Sequence, residues 1–136
     1  MDAWAEADAQ LMTETERLAS SGRDGGDRGH AAIGVLGAFV VGRHDVTRST
    51  GDPTAHPIPL VLTELARLTG SWRLIGAAIY ATDEPCVMCA GALVAARVDR
   101  LVYGVPNPEF GAAGSHYNVA GDPRLGHEIS VTVRPR

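Results

Sequence analysis

The sequence predicts an α/β protein, a three-layer α/β/α sandwich whose strands are joined by crossover helices. Two observations carry the prediction. Short apolar runs of strand length alternate along the chain with segments whose apolar residues recur at helical spacing. At 136 residues the chain has the length of one domain, read as a single domain over 1–136, with no internal repeat, linker or low-complexity tail.

The elements follow in order. Asp2 can cap a helix running to about Ser20, with Trp4, Leu11, Met12 and Leu18 as its apolar stripe. Ser21 to Gly29 holds four glycines and reads as a mobile loop. Ala31 to Val41 is a continuous apolar run expected to form one buried strand. Arg43 to Thr50 reads as a second strand or a loop. Leu60 to Thr69 has helical spacing and stops at Gly70. Leu74 to Thr82 is expected as a strand, Cys86 to Arg97 as a small-residue helix and Arg100 to Gly104 as a strand. Pro106 to Gly126 is a long loop, and Glu128 to Val133 alternates like a final strand.

Composition narrows the class. Hydrophobic residues make up 45% and charged residues 21%, an ordinary globular balance and not a disordered one. No uncharged stretch approaches the ~20 apolar residues of a membrane span. No basic-then-apolar leader opens the chain, so a cytoplasmic protein is expected. All 12 basic residues are Arg, they are scattered, and net charge is −4, so no electrostatic footprint for nucleic acid is present.

The chemistry-bearing residues are His56, just before a helix, and the pair Cys86 and Cys89, which opens another. A Cys-x-x-Cys at a helix start places both sulfurs on one side, where the helix N-terminus favours thiolates. One His and two Cys suit tetrahedral zinc, and three protein ligands leave the fourth position for water, the catalytic pattern. Zinc would bring that water's pKa down towards ~7. The same residues are compatible with a thioredoxin-like redox pair, or with two buried cysteines and an unrelated histidine.

Context favours the metal. Asp52-Pro-Thr-Ala-His56, then Glu84-Pro-Cys-Val-Met-Cys-Ala-Gly-Ala92, resembles the zinc-dependent cytidine and tRNA adenosine deaminase superfamily, whose signature is His-x-Glu followed by Pro-Cys-x-x-Cys. Tyr103-Gly104 and Gly111-Ala-Ala-Gly-Ser115 are similar to the tRNA adenosine deaminase and guanine deaminase branch in particular. The resemblance implies the cytidine deaminase type of sandwich, with a mixed sheet of about five strands. It also implies zinc ligands at His56, Cys86 and Cys89, and helices after the zinc motif at an oligomer interface. Met88, Leu93, Val94 and the small residues from Ala90 to Ala96 would form that face.

The sequence departs from the family where the chemistry is. The general acid/base Glu should lie two residues after the histidine, yet Ile58 stands there, between Pro57 and Pro59. General acid–base catalysis is worth typically ~10²–10⁴-fold, so its loss would slow the standard reaction severely. Glu64 is too far to substitute, about 12 Å along the helix axis. Asp83 and His116 are the candidate substitutes, Glu84 is expected to support the loop, and Asn107 and Tyr117 are candidate substrate contacts. His44 has no assignable place, and His30 falls in the glycine-rich loop. The Asn that binds the base in the family has no counterpart in Arg43 to Thr50, and the chain stops at Arg136 where the family continues into a helix. Together with the acidic balance, these departures imply that tRNA is an unlikely substrate.

The expected protein is therefore a divergent zinc-dependent hydrolase acting on a small nucleobase-like or cyclic amidine substrate through zinc-activated water. The alternative is a catalytically impaired deaminase-like subunit, or a ligand-binding protein, that keeps the zinc site without the Glu. A homodimer is expected, with a heteromer containing an active deaminase as the other assembly, and no membrane partner.

Overall fold

The computed structural model describes residues 3–135, and over them the strands form one mixed five-stranded sheet in the order β2-β1-β3-β4-β5. The elements are α1 (Ala3–Asp24), β1 (Ala31–Leu36), β2 (Phe39–His44), α2 (Thr47–Thr50), α3 (Pro57–Thr69), β3 (Ala78–Asp83), α4 (Val87–Ala96), β4 (Arg100–Val105) and β5 (Ser130–Val133). A short 3₁₀ turn, Pro123–Leu125, precedes the last strand. β1 pairs antiparallel with β2 and β3, whereas β3, β4 and β5 run parallel. The expected three-layer sandwich is the observed architecture.

Alternation along the strands assigns the two faces. Ala32, Ile79, Ala81, Leu101 and Tyr103 point to the side covered by α3 and α4, where the larger core holds Val61, Leu65 and Leu93. Ile33, Tyr80 and Val102 point to the other side, where Leu11, Met12 and Leu18 of α1 cover them. Helix α3 lies close on β1 because Gly34 leaves room: a Cβ there would stand 2.6 Å from Val61 Cγ1 and 2.7 Å from Leu65 Cδ1. Tyr80 hydroxyl donates to Asp8 Oδ1 at 2.6 Å, and Arg100 donates to both oxygens of Asp8, fastening α1 to the middle of the sheet.

Three local expectations are corrected. The run Ala31 to Val41 is a hairpin and not one strand: β1 and β2 pair through Leu36 and Phe39, with the chain reversing at Gly37, φ +59°. Continuous apolarity hid the turn because both strands are partly buried. Ser21 to Asp24 continue α1, and only the next six residues, 25–30, form the loop. That loop is tied down, since Asp27 is buried and accepts from Ser49 N–H. Glycine density alone had suggested mobility. Strand β3 begins at Ala78, after a turn at Leu74–Ala77, and not at Leu74. The cap assigned to Asp2 lies outside the described residues.

Candidate metal centre and its cavity

Two helix starts and one strand end converge on the site. Asp52 accepts from Thr54 N–H and hydroxyl, folding the turn that delivers His56 as the residue before α3. Gly70, φ +70°, ends that helix where the sequence placed its stop. Strand β3 ends at Asp83, Glu84-Pro85 turns the chain, and Cys86 caps α4 with Cys89 in its first turn. The carboxyl ends of the parallel strands thus open onto the N-termini of the helices, a usual place for a ligand in such sheets.

His56 Nδ1 lies 3.7 Å from Cys86 Sγ and 3.4 Å from Cys89 Sγ. All three ligand atoms lie within 4.8 Å of one another. Zn–S near 2.3 Å and Zn–N near 2.0 Å at a tetrahedral angle set an edge of about 3.5 Å, so the donor set fits a tetrahedral zinc. Cys89 is buried and Cys86 half-buried, with no disulfide between them. The Cys86 thiol is brought down to about 5, chiefly by a hydrogen bond from Cys89, against desolvation and helped by His56. The same hydrogen bond and burial push Cys89 up, so the pair without metal shares one proton.

A cavity of about 270 Å³ opens beside the three donors. Its wall includes Arg28, His30, Asp45, Ile58, Asp83 and Asn107. Ile58 is only 2% exposed and belongs to the core around α3, so no carboxylate meets the cavity from that position. Glu84, which also lines the cavity, is buried and accepts from Asn107 N–H, Ala113 N–H and Ser115 N–H, each at 3.0 Å. Burial raises its pKa, but these hydrogen bonds outweigh it and hold the group below its ordinary value. The loop-supporting part expected of Glu84 is visible in those contacts. Asn107 Oδ1 accepts from Glu109 N–H and Phe110 N–H, and the residue lines the cavity.

Of the other proposed side chains, Asp83 lies on the cavity wall, whereas His116 and Tyr117 are exposed and do not line it. Those two rings pack edge to face with centroids 4.4 Å apart. His44 is occupied with its neighbour's carbonyl, Asp45 O, at 3.0 Å. Glu64 is tied to Arg67 on α3.

Sequence reasoning missed His30, Arg28 and Asp45. His30 Nδ1 lies 2.7 Å from Asp83 Oδ1, and Arg28 reaches Asp45 at 3.7 Å. Burial raises the Asp83 pKa, while the hydrogen bonds from His30 and Thr82 and the nearby charges hold it below its ordinary value. The register of β1 on β3 pairs Ala32 with Ala81, and two more residues along it set His30 opposite Asp83. Asp45 stands at the end of the β1–β2 hairpin, buried, its Oδ1 accepting from Thr47 N–H.

A family model described as MafB19-like deaminase matches residues 6–130. The tRNA-specific adenosine deaminase of Bacillus subtilis (strain 168) is 34% identical over 125 residues, 91% of this chain and 78% of that protein. A tRNA-specific adenosine deaminase of Streptococcus pyogenes serotype M18 is 36% identical over 93 residues, where the match spans only 58% of its length. Among solved structures, one from work on A-to-I editing by tRNA:A34 deaminases superposes with TM-score 0.86 at 32% identity, covering 92% of this chain and 91% of that one. A Bacillus subtilis guanine deaminase shares the fold, TM-score 0.71 at 23% identity, covering 86% and 71%. These relatives give no support to the expectation that tRNA is an unlikely substrate.

Proposed function

The chain belongs to the MafB19-like deaminase family, and from that premise we propose a zinc-dependent hydrolase that removes the amino group from a small nucleobase-like or cyclic amidine compound. The observation that carries the reading is the His56, Cys86 and Cys89 donor set at zinc spacing on the edge of a walled cavity. Bound zinc supplies Lewis acidity and activates water at neutral pH. The chain's own residues do the rest. Asp83 belongs to the proton-handling side of the wall in this reading, Asn107 offers its amide to the ligand, and Glu84 holds the 107–115 loop in place. His116 and Tyr117, outside the wall, take no part in it.

A volume of about 270 Å³ lies just under the ~300–1,000 Å³ of drug-sized sites, which suits one heterocycle. The net charge of −4 disfavours a polyanionic substrate. No helix among the described residues is long and apolar enough to cross a membrane, and two free thiols suit a reducing compartment such as the cytoplasm.

The second reading, a catalytically impaired subunit or ligand-binding protein, is favoured by Ile58. Its partner surface would lie on α3 and α4. Leu93, Val94, Ala90 and Ala96 of the expected interface stripe are buried within the chain itself. Ala92 and Ala95 line a surface groove with exposed Trp72, Met88 of the same helix is exposed too, and we assign the homodimer contact, or one with an active deaminase, to that face.

Ammonia release decides between them. Zinc-loaded protein is offered aminated purines, pyrimidines and pterins, and a tRNA with adenosine at the wobble position, with His56→Ala as the blank. Release above the blank from a small compound supports the hydrolase. Release from the tRNA alone overturns the small-substrate reading, and none at all favours the subunit.

A further inference from the structure

We propose that His30 and Asp83 act as one proton-handling pair, with His30 as the catalytic residue and Asp83 as its positioning residue; the proposal rests on the hydrolase reading above. Three observations converge. His30 immediately precedes β1 and Asp83 ends β3, the adjacent strand, and the two side chains meet Nδ1 to Oδ1, 2.7 Å apart. Both line the cavity that holds His56, Cys86, Cys89 and Ile58. Both are about two-thirds buried, with side-chain exposures of 35% and 32%, so solvent screens the pair only in part.

The arrangement fixes what each atom does. Asp83 is held in its charged form, so its Oδ1 accepts, and His30 must present Nδ1–H to it. A histidine with its Nδ1 proton engaged this way keeps Nε2 as the basic nitrogen. No hydrogen bond among the described residues engages His30 Nε2. Hydrolytic removal of an amine forms a carbon–oxygen bond with water and breaks the carbon–nitrogen bond, releasing ammonia. One water proton ends on the ring nitrogen and the other on the departing nitrogen, with no oxidant or reductant. His30 Nε2 takes each proton and passes it on, while the Asp83 carboxylate stabilises the imidazolium between transfers. Ile58 cannot do this, and a pair 53 residues apart in the chain performs the same office from another part of the cavity wall.

The test uses zinc-loaded wild type, His30→Gln and Asp83→Asn, with zinc per chain measured in each. Ammonia release gives kcat and KM, and long-range ¹⁵N–¹H NMR reads the His30 tautomer. The expected result is a kcat loss of about 100-fold or more in His30→Gln at unchanged zinc content and little change in KM. Asp83→Asn is expected to lower kcat and to move the His30 proton from Nδ1 to Nε2. Wild-type turnover with kcat retained in His30→Gln, or a wild-type Nε2–H tautomer, overturns the pair and leaves the hydrolase reading standing. A wild type that releases no ammonia from any compound overturns the hydrolase reading itself, and the pair's catalytic role with it.

Discussion

Glu84 and Gly111 touch: a Cβ on Gly111 would stand 2.5 Å from Glu84 Oε1 and 2.5 Å from Asn107 O. The 107–115 loop can therefore wrap the carboxylate only with glycine at that crossing. Gly111→Ala is expected to lower unfolding stability by about 1–3 kcal/mol, through forced displacement of a packed loop. Glu84→Gln keeps the volume but turns an N–H donor towards amides that already donate. A loss of about 2–4 kcal/mol is expected in urea unfolding. Full stability of both variants would show that the loop is not built on this contact.

Removing the metal should expose a reactive thiol. With its thiol near 5, Cys86 is a thiolate at pH 7 once chelator has taken the metal, whereas Cys89 stays protonated. Iodoacetamide should then label Cys86 first, at a rate nearly flat from pH 8 down to about 6. Zinc should suppress labelling and raise Tm, and His56→Ala should abolish both effects. Peptide mapping by mass spectrometry reads the order of labelling.

The donor triad was legible because the segments around His56 and around Cys86 and Cys89 resemble a known pair of motifs, although 30 residues separate His56 from Cys86. The sandwich was legible because each strand and helix carries its own period. What was not legible depends on cross-strand register. His30 and Asp83 lie 53 residues apart, and the antiparallel pairing of β1 with β3 brings them together. Glycines at 22, 25, 26 and 29 read as slack, yet Asp27 pins that segment through Ser49 and delivers Arg28 and His30 to the cavity. His116 and Tyr117 show the converse: their place after the glycine loop suggested the cavity, and the chain turns them to solvent.

The fastening of α1 makes a pH prediction. Burial raises the Asp8 pKa, but hydrogen bonds from Arg100 and Tyr80 more than offset this and hold it below its ordinary 3.8. A depressed folded pKa means stability that is present above about 3.8 and lost as pH falls through the folded value. Tyr80 is pushed up to about 12, first by burial and then by Asp8, so its share is full below about 10 and lost as pH rises towards 12. Asp8→Asn should cost about 1–3 kcal/mol at neutral pH, and its deficit against wild type should shrink in acid below about pH 4. A deficit independent of pH would mean that the carboxylate charge is not what Arg100 and Tyr80 hold.

Ile58→Glu is the sharpest single change, because it places a carboxylate at a cavity-wall position that is 2% exposed. Burying that charge should lower the stability of metal-free protein by about 2–4 kcal/mol. With His30 and Asp83 already moving protons, the extra carboxylate should alter wild-type ammonia release by less than about 10-fold. In the His30→Gln background the same Glu supplies the missing base, and turnover should recover by about 100-fold or more. If instead Ile58→Glu in the otherwise native chain raises turnover from nothing, the native protein lacks a working proton carrier, and the impaired-subunit reading takes its place.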